Sequence, residues 1–217
     1  METEVNAFTI RSFLWETFTP EMKNTMCNLL KSDTDKARSF CDCYFNVFHI
    51  LHKIGHIITH TFNVHHNEDA ALNEYYANIF AYKYLEFKKE KDYLKDLISC
   101  ISFLLNEYKL SFDYHIPKMN EIFIKVKQDL FQYSAFNFNC IRKCSSDKRS
   151  FEEILTTISR GNLTTINSGI VPTPGLHGID LVNECLAVVF ELSGYIPDIK
   201  LLYCPNIALE NLELVLS

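Results

Sequence analysis

Four histidines, His49, His52, His56 and His60, stand three, four and four residues apart in an otherwise mostly apolar run. At about 100° per residue, that spacing lays all four on one stripe of an α-helix. The segment from about Asp35 to Thr61 that contains them is the most helix-like in the chain, and Ser32-Asp33-Thr34-Asp35 ahead of it supplies oxygen-bearing side chains for a cap. A polar stretch, Asn63-Val64-His65-His66-Asn67, breaks it. A further helix, rich in alanine and aromatic residues, is expected from near Glu68 through Tyr84 or beyond.

Two imidazoles at i and i+4 on a helix reach one point in space, so His52 and His56 have the spacing of a metal-binding pair. Zinc at a reactive centre wants three protein ligands and one open position. Glu74, on the next predicted helix, is the natural third ligand. Asn78, one turn later, is placed to orient an imidazole from behind. Glu68 and Asp69 are spare carboxylates in or near the linker. His49 and His60 are not expected to be ligands; His60 is placed to flank the site or touch a substrate. His177, beside Gly175 and Gly178, is a loop histidine that could line a cleft. The plain alternative is a stripe of satisfied core or surface histidines that bind nothing.

Residues 8–31 read as helical around Phe13, Leu14, Phe18, Met22 and Met26, with Pro20 opening a second segment. Residues 92–110 form an amphipathic pattern with Leu94, Leu97, Ile98, Ile101, Leu104 and Leu105 inward. Pro117 starts another helix, carrying Ile122, Val126 and Leu130. Ser145-Ser146-Asp147-Lys148 is the best boundary, dividing a helical part, 1–145, from a mixed α/β segment, 146–217, that packs on it. In that segment Asn162 to Gly178 reads as loop with room for a short strand, Asp180 to Leu192 as an apolar helix, and Ile199 to Ser217 as a strand and a short helix. The fold class expected is mainly α with a small mixed C-terminal part, or alternatively α+β.

Composition excludes several function classes. The formal charge of −6 argues against direct nucleic-acid binding, which depends on lysine and arginine facing phosphates. Lys88, Lys89 and Lys91 alternate with Glu90 and Asp92, the dress of a solvated helix face. Leu97 to Leu105, the longest nearly uncharged stretch, is too short to cross a bilayer. The acidic start, Met1-Glu2-Thr3-Glu4, lacks the features of an export signal, so a cytoplasmic protein with reduced thiols is expected. Cys41 with Cys43, and Cys140 with Cys144, lack the spacing of a zinc knuckle and read as structural thiols. Seventeen phenylalanines and eleven tyrosines give the 217-residue chain ample area to bury.

The segment Phe48-His49-Ile50-Leu51-His52-Lys53-Ile54-Gly55-His56-Ile57-Ile58-Thr59-His60 resembles the active-site helix of ImmA/IrrE-type metallopeptidases, an apolar run around HELGH, often with a later histidine. Glu74-Tyr75-Tyr76-Ala77-Asn78-Ile79-Phe80-Ala81 resembles that family's second motif, a glutamate followed by x-x-A-N/D-x-F-A. The resemblance covers about residues 45–87. It implies a gluzincin arrangement, a zincin-like helix pair on which His52, His56 and Glu74 bind Zn2+ and Asn78 supports them. It also implies β-strands ahead of the histidine helix, where this sequence reads as helix. Catalytic members act on transcriptional regulators and repressors, which implies a protein or peptide partner of that kind.

One residue departs from the pattern. The glutamate of HExxH is the general base that takes a proton from metal-bound water, and here its place is taken by Lys53. An ammonium whose ordinary pKa is about 10.4 cannot accept that proton at neutral pH. General-base catalysis is typically worth about 10² to 10⁴ in rate, so its loss leaves slow hydrolysis at best. Three readings follow. The chain is a metallopeptidase-like pseudoenzyme that holds a protein partner; or an active zinc hydrolase using another base, for which Glu184 and Glu191 are the candidates; or a metal-free helical interaction module.

Overall fold

A computed structural model describes residues 8–62, 70–110 and 116–203, without the side chains of residues 116–118 and 130. In chain order the elements are strand β1 (Phe8–Ser12), a 3-10 turn (Trp15–Thr17), helices α1 (Pro20–Leu30) and α2 (Thr34–Cys43), a π-helical turn (Tyr44–Phe48), then α3 (His49–Thr61), α4 (Ala70–Phe87), α5 (Lys91–Glu107), α6 (Ile116–Val126), α7 (Leu130–Cys144), α8 (Phe151–Ile158), α9 (Gly178–Ser193) and strand β2 (Ile199–Tyr203). The protein is mainly helical, as the sequence predicts, with one small sheet.

Local chemistry sets most boundaries. The Thr19 hydroxyl accepts from the Met22 amide ahead of Pro20 at the first helical position, and Asp33 accepts from the Lys36 amide to open α2. Ser150 and Glu153 exchange side-chain and backbone bonds in a capping box at the head of α8. From Thr34 to Thr61 the chain stays helical without a loop, α2 passing through the π turn directly into α3. Helix α4 runs through the middle of the core, with Ala71, Ala77, Ile79, Phe80, Ala81, Tyr84 and Leu85 all buried. Each large side chain among them contributes roughly 1.5–3 kcal/mol by leaving water.

Two expectations are corrected. Residues 8–12 are a strand rather than the start of a helix: Ile10 and Ser12 are buried while Thr9 and Arg11 face out, a period of two. The partner strand lies at the far end of the chain, pairing in parallel from Phe8↔Ile199 to Ser12↔Tyr203. The sheet therefore joins the first and last described elements, and β1 is the one strand ahead of α3 among the described residues. The helix read from Pro117 through Leu130 ends instead at Val126, Leu130 opens a separate helix α7, and α8 has no counterpart in the sequence reading. In α5, Leu94, Leu97, Ile101, Leu104 and Leu105 are buried as expected, and Ile98 is half-buried. The 63–67 linker, Glu68, Asp69 and the predicted C-terminal helix lie outside the described residues. No described helix is long and apolar enough to cross a membrane.

Candidate metal centre

Gly55 determines how closely α3 and α4 approach. A Cβ placed there would lie 2.9 Å from the Ala77 Cα and 3.2 Å from the Phe80 Cβ, closer than side chains allow. Glycine facing alanine lets the two backbones touch, and that contact brings the histidine stripe of α3 onto Glu74 of α4.

The three predicted ligands meet. The Nε2 atoms of His52 and His56 are 3.1 Å apart. His52 Nε2 lies 3.4 Å from Glu74 Oε2, and His56 Nε2 lies 3.5 Å from Glu74 Oε1. A tetrahedral ion with bonds of 2.0–2.1 Å has ligand atoms about 3.3 Å apart, so the spacing suits a single metal ion. The group could hold such an ion, with one donor atom from each residue all within 4.8 Å of one another. Glu74 Oε2 and His52 Nδ1 are buried and complete no hydrogen bond among the described residues. A buried carboxylate oxygen without a donor is costly, and a metal ion would satisfy it.

Charge states favour the same reading. Burial pushes the Glu74 carboxyl upward, but the two imidazoles beside it outweigh this and hold it below the usual carboxylate range. Burial, then the neighbouring His56, lowers His52 to about 4, against the opposing pull of Glu74. At neutral pH the centre therefore offers an anionic carboxylate and a neutral His52 imidazole, the forms that ligate.

The support behind Glu74 differs from expectation. The Asn78 amide donates to the Glu74 carbonyl and to Asn137 Oδ1, both at 2.9 Å, so it braces the backbone of α4 and ties it to α7 rather than orienting an imidazole. The contact to the ligand carboxylate comes instead from Tyr133, whose hydroxyl donates to Glu74 Oε1 at 2.9 Å. Burial and the adjacent Glu74 raise the Tyr133 pKa, which keeps that proton in place. Tyr133 and Asn137 stand at i and i+4 on α7, two polar residues on an otherwise apolar face. That pairing was the sequence signal for them.

Lys53 sits next to His52, half-buried, and lines a cavity of about 640 Å3 together with His49, His52 and Tyr133. Its ammonium makes no hydrogen bond or ion pair with the described residues. His60 lies at the exposed end of α3 with its ring against Phe8, and does not line that cavity. His177 lines a different cleft of about 440 Å3, with Arg38, Asp42 and Leu176, and its Nδ1 lies 3.1 Å from the Gly175 carbonyl.

The two candidate replacement bases are engaged elsewhere. Glu184 pairs with buried Lys88 and accepts from Tyr84 and the Thr173 amide. Tyr84 is ten residues beyond Glu74, about 15 Å along α4. Glu191 accepts from Ser168 and the Ile170 amide. Cys41, Cys140 and Cys144 are buried free thiols whose ionisation burial suppresses, in keeping with a structural role. No protein-family model, curated protein or solved structure matches the chain.

Proposed function

We propose that the protein is a zinc-binding, metallopeptidase-like pseudoenzyme, a regulatory module that holds a protein or peptide partner at a degenerate active site. The observation that carries the reading is the convergence of His52, His56 and Glu74 at the spacing of a tetrahedral metal ion. Two imidazole nitrogens and one carboxylate are the donor set of a zinc site that keeps an open position. The HKIGH and ExxAN-x-FA motifs, with their resemblance to ImmA/IrrE-type metallopeptidases, support the class.

In this reading the chain's own residues bind and position but do not remove a proton. His52 presents a neutral nitrogen and His56 a second imidazole, Glu74 supplies the negative charge, and Tyr133 fixes the carboxylate by its hydrogen bond. Bound zinc would polarise a carbonyl or a water molecule. Lys53, at the place of the general base, offers a donor and a positive charge where proton acceptance is needed. A transcriptional regulator is the partner class the resemblance suggests, and the cytoplasm is the matching compartment.

Lys53→Glu tests the degenerate-enzyme reading. The variant is expected to gain zinc-dependent cleavage of casein by about 10² or more over the parent, removable by chelator. Vigorous zinc-dependent cleavage by the parent itself would contradict the reading.

A further inference from the structure

The cavity beside the metal centre has a lining unlike the rest of the molecule. It is walled by apolar and aromatic side chains, among them Phe18, Met22, Met26, Leu30, Phe40 and Phe138. Its volume of about 640 Å3 falls within the usual range of small-molecule sites, about 300–1,000 Å3. Among the described residues, the charged side chains that line it are Lys53 and Lys127, with no aspartate or glutamate, although the chain as a whole carries a charge of −6. His52, one of the three triad residues, and Tyr133, bonded to Glu74, are part of the same wall, so the cavity borders the site at His52.

An apolar chamber with cationic groups and a metal site on one wall selects for an anionic head on an apolar tail. A divalent ion held by two neutral imidazoles and one carboxylate leaves the centre with a net positive charge, to which Lys53 adds. A cationic amphiphile would meet repulsion there, and an uncharged one would leave the Lys53 ammonium without a partner.

We propose that this cavity binds a monocarboxylate with a long unbranched apolar tail, its head held by Lys53 beside the His52–His56–Glu74 site and its tail lying among the side chains of α1, α2 and α7. The assignment deepens the proposed metal-site reading and rests on it for the second contact of the head group. Lys53 then has a purpose as an anion anchor, at the position where a peptidase keeps its base.

Titration calorimetry on the zinc-loaded full chain tests it, with zinc content measured on the same samples. Octanoate, decanoate and dodecanoate should bind with affinity rising about fourfold per methylene until the chamber is full. Dodecanol should bind at least about tenfold more weakly than dodecanoate, and dodecyltrimethylammonium more weakly still. Lys53→Met should lower dodecanoate affinity by about tenfold or more without weakening dodecanol. Met26→Trp, which narrows the chamber, should weaken every member of the series. Equal binding of carboxylate and alcohol, or an unchanged dodecanoate affinity in Lys53→Met, would overturn the proposal, as would zinc-loaded protein that takes up no dodecanoate. Failure of the chain to take up zinc would be a separate failure of the metal-site reading. Titration of the metal-free chain then decides: Lys53-dependent dodecanoate binding upholds the cavity assignment, and its lack overturns it.

Discussion

At the residue scale, the site is governed by which atoms lack partners. Glu74 keeps one oxygen on Tyr133 and leaves the other facing His52 without a donor. Tyr133→Phe removes the bond that fixes the carboxylate, and partners of this kind typically hold about 10- to 100-fold in metal affinity. Zinc competition titration of Tyr133→Phe should show a loss in that range with the helical circular dichroism unchanged. The two inner histidines also set a pH dependence. Burial lowers His49 to about 3 and His52 to about 4, both below their unfolded value of 6.5. Between pH 6.5 and 4 the unfolded chain therefore binds more protons than the folded one, so stability falls as pH falls through that window. Metal-free protein should lose about 1–3 kcal/mol between pH 7 and pH 5 by denaturant unfolding. Stability that rises on acidification would contradict the buried, neutral state of these rings.

At the scale of elements, the centre depends on two helices touching. Gly55 lies in ordinary helical backbone, so alanine there gains about 1 kcal/mol of helix propensity. The added methyl would meet the Ala77 Cα at 2.9 Å, and overpacking of this kind costs roughly 1–3 kcal/mol. The clash is with backbone, which cannot rotate away, so the cost wins. Gly55→Ala should lower the unfolding free energy by up to about 2 kcal/mol and weaken zinc binding by more than about tenfold, because α3 and α4 must separate. The helix pair is legible in the sequence because its signals are local: the helical spacing of His49, His52, His56 and His60, and HKIGH with its companion motif fixing the relative order. The i, i+4 pairing of Tyr133 with Asn137 marks a polar spot on α7, but its partner is not legible, because the hydroxyl reaches Glu74 across 59 residues of chain. Asn78 was placed on the correct helix, yet its partners, the Glu74 carbonyl and Asn137, depend on the same neighbour.

At the scale of the whole molecule, strands β1 and β2, first and last of the described elements, pair with each other across the helical body. Strand β1 was read as helix because five residues, Phe8 to Ser12, carry too short an alternation to reveal a partner at Ile199–Tyr203. Parallel pairing needs a long crossover, and here the entire helical body supplies it. The C-terminal segment joins the same body: the Thr164 amide donates to the Leu192 carbonyl at 2.7 Å, and buried Lys88, in the turn just after α4, pairs with Glu184 of α9 while holding the Thr173 carbonyl. The helical part then holds, between α1, α2, α3, α5 and α7, the apolar chamber that reaches the triad at His52. That chamber was invisible in the sequence, since its walls come from helices that each read as ordinary core-facing surfaces. The proposed function requires that His52, His56 and Glu74 share one metal ion. Zinc stoichiometry by elemental analysis of dialysed protein, beside a His52→Ala/His56→Ala variant, tests it most directly. The account predicts about one zinc per chain in the parent and almost none in the variant; equal zinc content in the two, or none in the parent after exposure to excess zinc, would contradict it.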